Sequence, residues 1–208
     1  MRKYAACLSV DIPGAKGADK IQKMAVQFTD PFDPESHIGG IRVRRLRVNS
    51  DDRGNLVETL KIDWEDFYDD DLLPFKQTYY SVTHAGVARD EDQWHVHENQ
   101  RDRFVVIDGD LVVGVHDPRP GSPTKDLINL FRMGSAQGSD GQYALMIPER
   151  VHHGFVVSPA GRAILTNFPT QLYDPEDEGR IPFADAGAQF GDGQPFSWEA
   201  VCEVLRRD

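Results

Sequence analysis

Between Ile41 and Phe168 the chain is written almost entirely in short runs of β-forming residues cut by turns. The runs are Ile41–Val48, Leu56–Leu60, Gln77–Thr83, Arg103–Ile107, Leu111–Val115, Leu127–Phe131, Tyr143–Ile147, Phe155–Val157 and Ala163–Phe168. Each is shorter than the ~10–12 residues that an amphipathic helix needs, and the first alternates Ile41, Val43, Leu46 and Val48 against arginines. Asp51-Asp52-Arg53-Gly54 and Asp108-Gly109-Asp110 stand between runs as turn signals, the second of hairpin type. Many short strands at this spacing predict an all-β sandwich or barrel.

The flanks differ. Residues 1–40 carry Pro13, Gly14, Gly17, Pro31, Pro34, Gly39 and Gly40 without a sustained period, and read as an irregular N-terminal arm suited to wrapping a neighbour. Residues 41–185 then form the barrel domain, and 186–208 a tail. Within the tail, Ser197–Arg207 has Val201, Val204 and Leu205 at helical spacing and Ser197 as an N-cap, which predicts a short C-terminal helix. Trp64–Asp71 has room for one helical turn, and Asp69-Asp70-Asp71 reads as a solvated loop.

Charge narrows the partners. Lys plus Arg number 23 against 34 Asp plus Glu, a formal charge of −11 with no long basic cluster, which argues against nucleic acid and anionic membranes. No stretch approaches the ~20 apolar residues of a membrane span. Cys7 and Cys202 are too few for a disulfide framework and lie outside the motif region as structural or incidental thiols. The expectation is a soluble cytoplasmic protein.

Histidines carry the chemical signal. In Trp94-His95-Val96-His97 the two imidazoles are two apart, so on a strand they share a face. Asp102 follows, and Ile147-Pro148-Glu149-Arg150-Val151-His152-His153 brings two more imidazoles, of which only one can face a barrel interior. Such a set suits a metal wanting N/O ligands, or a base titrating near neutrality. The plainer alternative is a group of hydrogen-bonded core or surface histidines. His84 and His116 are read that way. Trp94 suits either stacking on a ligand or packing.

His95, His97, Asp102 and Gly109, with His153 later, resemble the two motifs of the cupin superfamily, with Asp in place of Glu. A closer resemblance covers Ile41 to Asp185. Asp52-Arg53-Gly54 with Glu58, Gln77 with Ser81, His116-Asp117-Pro118-Arg119 leading into Gly121-Ser122-Pro123-Thr124, Ile147-Pro148-Glu149 through Phe155, and Tyr173-Asp174-Pro175 with Glu178 and Gly179 are similar to the dTDP-4-dehydrorhamnose 3,5-epimerase family. That resemblance implies a double-stranded β-helix (cupin, jelly-roll), a homodimer, and a nucleoside-diphosphate 4-keto sugar as substrate. It assigns the proton-abstracting base to His95 and places His153 and Tyr173 at the site. Arg53 and Glu58 would hold the nucleotide from a neighbouring subunit. Gln77 joins the substrate-binding set, and Arg53, Arg89, Arg103 and Arg119 are the candidate diphosphate ligands.

The departures concern catalysis. The family's acid tyrosine falls on Asn167, an amide that cannot deliver a proton as a phenol can. Tyr79 or Tyr80 could take its place. The family's site lysine falls on Asp102, and the family's arginine three before the base falls on Asp92. No counterpart is evident for the carboxylate that pairs with the base. Three readings follow: a cofactor-free nucleotide-sugar epimerase or isomerase using His95; a metal-dependent cupin enzyme, an oxygenase or metal-assisted isomerase, holding Fe, Mn, Ni or Zn on His95, His97, Asp102 and His153; and a non-catalytic sugar-binding cupin.

Overall fold

A computed structural model describes residues 26–207, so Cys7 and most of the expected arm lie outside it. Its strands are β1 (Arg42–Arg45), β2 (Val48–Asp51), β3 (Gly54–Val57), β4 (Tyr79–Thr83), β5 (Gln93–His97), β6 (Asp102–Asp108), β7 (Asp110–His116), β8 (Ile128–Gly134), β9 (Tyr143–Ile147), β10 (His152–Val157), β11 (Ala163–Asn167) and β12 (Glu178–Pro182). One five-stranded sheet runs β1-β9-β6-β11-β4, the other β12-β5-β10-β7-β8, and β2-β3 form a separate hairpin. Every pairing is antiparallel. This is the expected double-stranded β-helix. Among the described residues no helix is long and apolar enough to cross a membrane.

The period of two decides what lies between the sheets. Phe104 and Val106 of β6, Leu111, Val113 and Val115 of β7, Tyr143, Leu145 and Ile147 of β9, and Phe155 and Val157 of β10 make the inner core. Each such side chain contributes roughly 1.5–3 kcal/mol on burial. The β6–β7 turn is possible only because Gly109 takes φ +82°, and a Cβ there would come within 2.2 Å of the Arg162 carbonyl oxygen. Towards the other end of the same strands the inward positions turn polar, beginning with Asp102 and His153.

The outer face of the second sheet is covered by the tail. Helix α1 (Phe183–Ala186) is one turn, and α2 (Trp198–Leu205) is the expected C-terminal helix, with the Ser197 hydroxyl accepting from the Ala200 N–H. Trp198 lies over the cross-strand pair Gly114 and Gly154, where an added Cβ would come 2.9 and 3.1 Å from its ring. Trp94, Val112, Val156, Phe190, Phe196, Val201, Cys202 and Leu205 fill the same layer. Trp94 is therefore packing, stacked near His116 and His152 and flanked by Phe183 and Phe196.

Several elements differ from expectation. The Ile41–Val48 run breaks into β1 and β2 because Leu46 turns into a separate core with Phe67, Leu73, Val105, Ala144 and Met146. Strands β5 and β12 were not among the expected runs. Trp64–Tyr68 makes a single hydrogen-bonded turn and no helix.

Two arginines expected at the diphosphate are built into the frame instead. Arg103 is 1% exposed, and its guanidinium donates to the carbonyls of Phe168 (2.6 Å), Phe67 (2.6 Å), Leu73 (3.0 Å) and Pro74 (2.7 Å). It ties two loops onto the outer face of the first sheet. Arg119 donates to Asp117 and to the Gly39 carbonyl, while Ser122 and Thr124 also donate to Asp117. The Asp117–Thr124 stretch is thus a self-satisfied loop. Truncating Arg103 orphans several buried carbonyls at ~1–3 kcal/mol each before relaxation. Arg103→Ala should therefore lower stability by about 3 kcal/mol or more, with Arg103→Lys restoring only part. Urea unfolding midpoints check this, and an unchanged midpoint for the alanine variant would contradict the structural role.

Candidate active site

The polar end of the barrel is a cleft of about 210 Å³ lined by both sheets. Tyr79, Ser81, Asp102, Phe104 and Leu165 come from the first sheet, and His95, His153, Gly154, Phe155 and Arg180 from the second. His95 and His153 are register partners on β5 and β10, which brings their rings to 5.1 Å. The turn leading into β10 is held by the Arg150 N–H donating to the His97 carbonyl (2.7 Å), with Arg150 at φ +61°. A left-handed backbone on a non-glycine residue costs about 1–2 kcal/mol. The hydrogen bond to His97 offsets it and holds the second imidazole pair against the first.

Adjacent His152 and His153 do point oppositely. His152 faces the tail and meets His116, their Nδ1 atoms 3.2 Å apart. His153 faces the cleft.

Asp102 organises the interior. It is 3% exposed, and its carboxylate meets His153 Nε2 (3.1 Å) and accepts from Gln100 Nε2 (2.8 Å) and Asn167 Nδ2 (2.8 Å). Burial alone would push its pKa up, but the His153 hydrogen bond and charge, His97 and Asn167 hold it well below the usual carboxylate range. His153 Nδ1 faces the Val151 carbonyl at 3.1 Å, so both ring nitrogens face oxygen acceptors, the geometry of a doubly protonated ring. Gln100 donates one amide hydrogen to Asp102 and directs the other at His97 Nε2 (3.0 Å), leaving His97 Nδ1 towards Asp177 (3.4 Å). His95 Nε2 lies 2.9 Å from His97 Nε2, and its Nδ1 lies 3.9 Å from Glu178. Burial, His153 and Arg180 push the His95 pKa down to about 2, so this ring is neutral at physiological pH; burial lowers His97 as well.

The ligand nitrogens of His95, His97 and His153 all lie within 4.8 Å of one another. The cleft therefore combines neutral imidazoles, a compensated carboxylate and a hydroxyl-bearing opposite wall, an arrangement able to move a proton at carbon.

Residues 35–192 match the dTDP-4-dehydrorhamnose 3,5-epimerase family. The chain belongs to that family. The probable low-salt glycan biosynthesis epimerase Agl13 of Haloferax volcanii is 39% identical over 150 residues, covering 71% of this chain and 89% of that protein. The crystal structure of a dTDP sugar isomerase from Desulfovibrio desulfuricans G20 has a TM-score of 0.64 at 24% identity, over 77% of this chain and 92% of that one. That of ChmJ, a 3'-monoepimerase from Streptomyces bikiniensis in complex with dTDP-quinovose, has a TM-score of 0.61 at 20% identity, over 82% and 96%. The protein is an epimerase-like cupin, an enzyme of the isomerase class.

Within this family frame, His95, His97, Asp102 and His153 converge as their spacing implied. Asn167 is fully buried behind the cleft, its Oδ1 accepting from the Arg103 N–H and its Nδ2 donating to Tyr79 Oη (2.8 Å) and Asp102. Arg89 reaches the cleft rim, donating to Thr83 Oγ1 and the Val82 carbonyl. Arg53, paired with Asp51, and Glu58, beside Lys61, sit exposed on or after the β2–β3 hairpin, outside the cleft. Gln77 bonds the Gln171 carbonyl, and Tyr173 lies 70% exposed on the neighbouring surface.

Arg180 and Asp90 were not foreseen. Arg180 of β12 bridges Asp90 (2.9 Å) and Glu178 (2.5 Å), and the Trp198 indole N–H donates to the Asp90 carbonyl. In the sequence only Glu178-Gly179, part of the family resemblance, points to this segment, and its composition does not mark β12 as a strand.

Burial and His116 push the His152 pKa down to about 4, and burial lowers His116 too. Unfolded imidazoles titrate near ~6.5, so between there and the folded values the unfolded chain binds more protons. Stability is fully present above pH ~6.5 and falls as pH drops, by up to about 1.4 kcal/mol per pH unit for each such histidine. Urea midpoints at constant salt should drop clearly from pH 7.5 to 5. Equal midpoints would contradict the neutral burial of these rings.

Proposed function

We propose that the cleft inverts a carbon next to the ketone of a dTDP-4-keto-6-deoxyhexose or related nucleotide sugar. The observation that supports this most is His95: a neutral, mostly desolvated imidazole on one wall, within reach of a sugar ring in the cleft and backed by Glu178. His95 takes the proton as the C–H electron pair forms a double bond to the carbonyl carbon and the C=O π pair moves onto oxygen, giving an enolate. His153, carrying hydrogens on both nitrogens and held by Asp102, supplies positive charge beside that enolate. Asn167 acts by positioning, through Asp102 and Tyr79.

An acidic protein repels a diphosphate, so local cations have to bind it. Arg89 fits, because both of its partners are neutral oxygens and its charge stays available; Arg180 at the same rim would exchange carboxylates for phosphate. Arg53 and Glu58, exposed on their own protomer, suit the nucleotide end of a neighbour's site in a homodimer.

The second reading is a divalent transition metal (Fe, Mn, Ni or Zn) on His95, His97, His153 and Asp102, supported by the closeness of the three imidazoles. The donor types fit. However, each inward nitrogen already has a polar partner: His97 Nε2 has Gln100 and His95, and His153 Nε2 has Asp102. A metal would have to displace those contacts, which favours the cofactor-free reading.

His95→Asn should reduce deuterium exchange from heavy water into the carbons flanking the ketone by about 10²–10⁴-fold while keeping the thermal shift produced by dTDP. Elemental analysis runs beside it: stoichiometric transition metal, lost in His97→Ala together with activity, would replace the base mechanism with the metal one.

A further inference from the structure

Inversion needs a proton delivered to the face opposite the base, and the position of the family's acid tyrosine holds Asn167, whose side chain is buried and fully engaged. We infer that Tyr79 is the proton donor of this enzyme, the acid having moved one strand sideways from β11 to β4. The inference rests on the epimerase reading above.

Four observations carry it. Asn167 and Tyr79 are register partners on adjacent antiparallel strands. Such partners project from the same face of a sheet with Cβ atoms ~4.5–5.5 Å apart. A phenol at 79 therefore enters the cavity that a phenol at 167 would enter.

Tyr79 and His95 also stand on different sheets while lining one cleft. The cleft of about 210 Å³ between them is open to a sugar ring, which would meet one group from each wall.

The hydrogen bonding leaves the phenol proton free. Asn167 Oδ1 is committed to the Arg103 N–H, and its two amide hydrogens go to Asp102 and to Tyr79 Oη. Tyr79 is consequently an acceptor in that contact, and its own hydrogen can point into the cleft. The same amide hydrogen stabilises the phenolate left after transfer.

Finally, Tyr80 is excluded by the strand period: it is 69% exposed and pairs with Thr166 on the outward face. Burial and the Asp102 charge push the Tyr79 pKa up to about 12, against the smaller opposing effect of Asn167, so the proton is in place at neutral pH.

The step balances without a co-reactant. His95 accepts the proton from carbon; the enolate re-forms the ketone as a new C–H bond is made with the Tyr79 proton on the other face. Water then carries a proton from the His95 imidazolium back to the Tyr79 phenolate, and the net change is isomerisation.

The test follows a dTDP-4-keto-6-deoxyhexose in heavy water with the full-length protein. Unaltered enzyme should give inverted product carrying deuterium. Tyr79→Phe should still wash deuterium into unreacted substrate, since His95 remains, but lose inversion by at least about 10²-fold; its thermal shift with dTDP should persist. Tyr80→Phe should match the unaltered enzyme. Inversion by Tyr79→Phe at the unaltered rate overturns the assignment. So does loss of exchange together with inversion, which would mark a structural or base-step role. No exchange by the unaltered protein would overturn the epimerase reading and this inference with it.

Discussion

A carboxylate inside a β-barrel must be surrounded by donors, and Asp102 imposes that demand on everything around it. An unpaired buried charge costs several kcal/mol, more than any one apolar contact of the inner core contributes. The demand is met by His153, Gln100 and Asn167, which arrive from β10, from the loop before β6, and from β11. Each donor is then used twice. His153 reaches the Val151 carbonyl, Gln100 reaches His97, and Asn167 reaches Tyr79. Satisfying one carboxylate therefore orients two imidazoles and one phenol. Pre-organisation of this kind lets a site act without rearranging when charge develops.

The neighbouring residue carries the opposite charge through the opposite face. Asp102 points into the barrel and Arg103 out of it, where backbone carbonyls alone receive the guanidinium. Burial lowers the Arg103 pKa to about 10 while Asp102 raises it, so it remains charged at neutral pH. The same two-sidedness governs β10: His153 serves the cleft, and His152 lies beneath the tail with His116 and Trp94. Gly154 then leaves space for Trp198, whose indole fixes the backbone of Asp90 and through it the partner of Arg180. The tail thus reaches the rim of the cleft through a chain of ordinary contacts.

The fold was legible because alternation and turn residues are local signals. The hairpin at Gly109, β9 and the Ser197-capped helix needed no tertiary information. Strand β5 escaped as a run because Gln93-Trp94-His95-Val96-His97 alternates two chemistries, an outward apolar face and an inward imidazole face; the His-x-His spacing still identified its inward face. Strand β12 escaped because Glu178–Pro182 is polar and ends in proline, and only pairing with β5 reveals it. The arginines were the least legible. Arg103, Arg119 and Arg89 look alike in sequence, and their roles separate only by whether their partners are loop carbonyls, a buried Asp117, or neutral oxygens at a cleft rim.

Why the phenol can sit on β4 follows from where that strand lies. It is the edge of its sheet, so its inward residues are less enclosed than those of β11, and Tyr79 is 49% exposed where Asn167 is 0%. A phenol at 167 would have to fit between Asp102 and Arg103 backbone already committed to an amide; at 79 it needs only one hydrogen bond and open space. The edge brings its own problem, since Tyr80 and Val82 face outward at 69% and 41% exposure on a strand whose second edge has no partner among the described residues. Exposed edges with apolar side chains are surfaces that proteins cover.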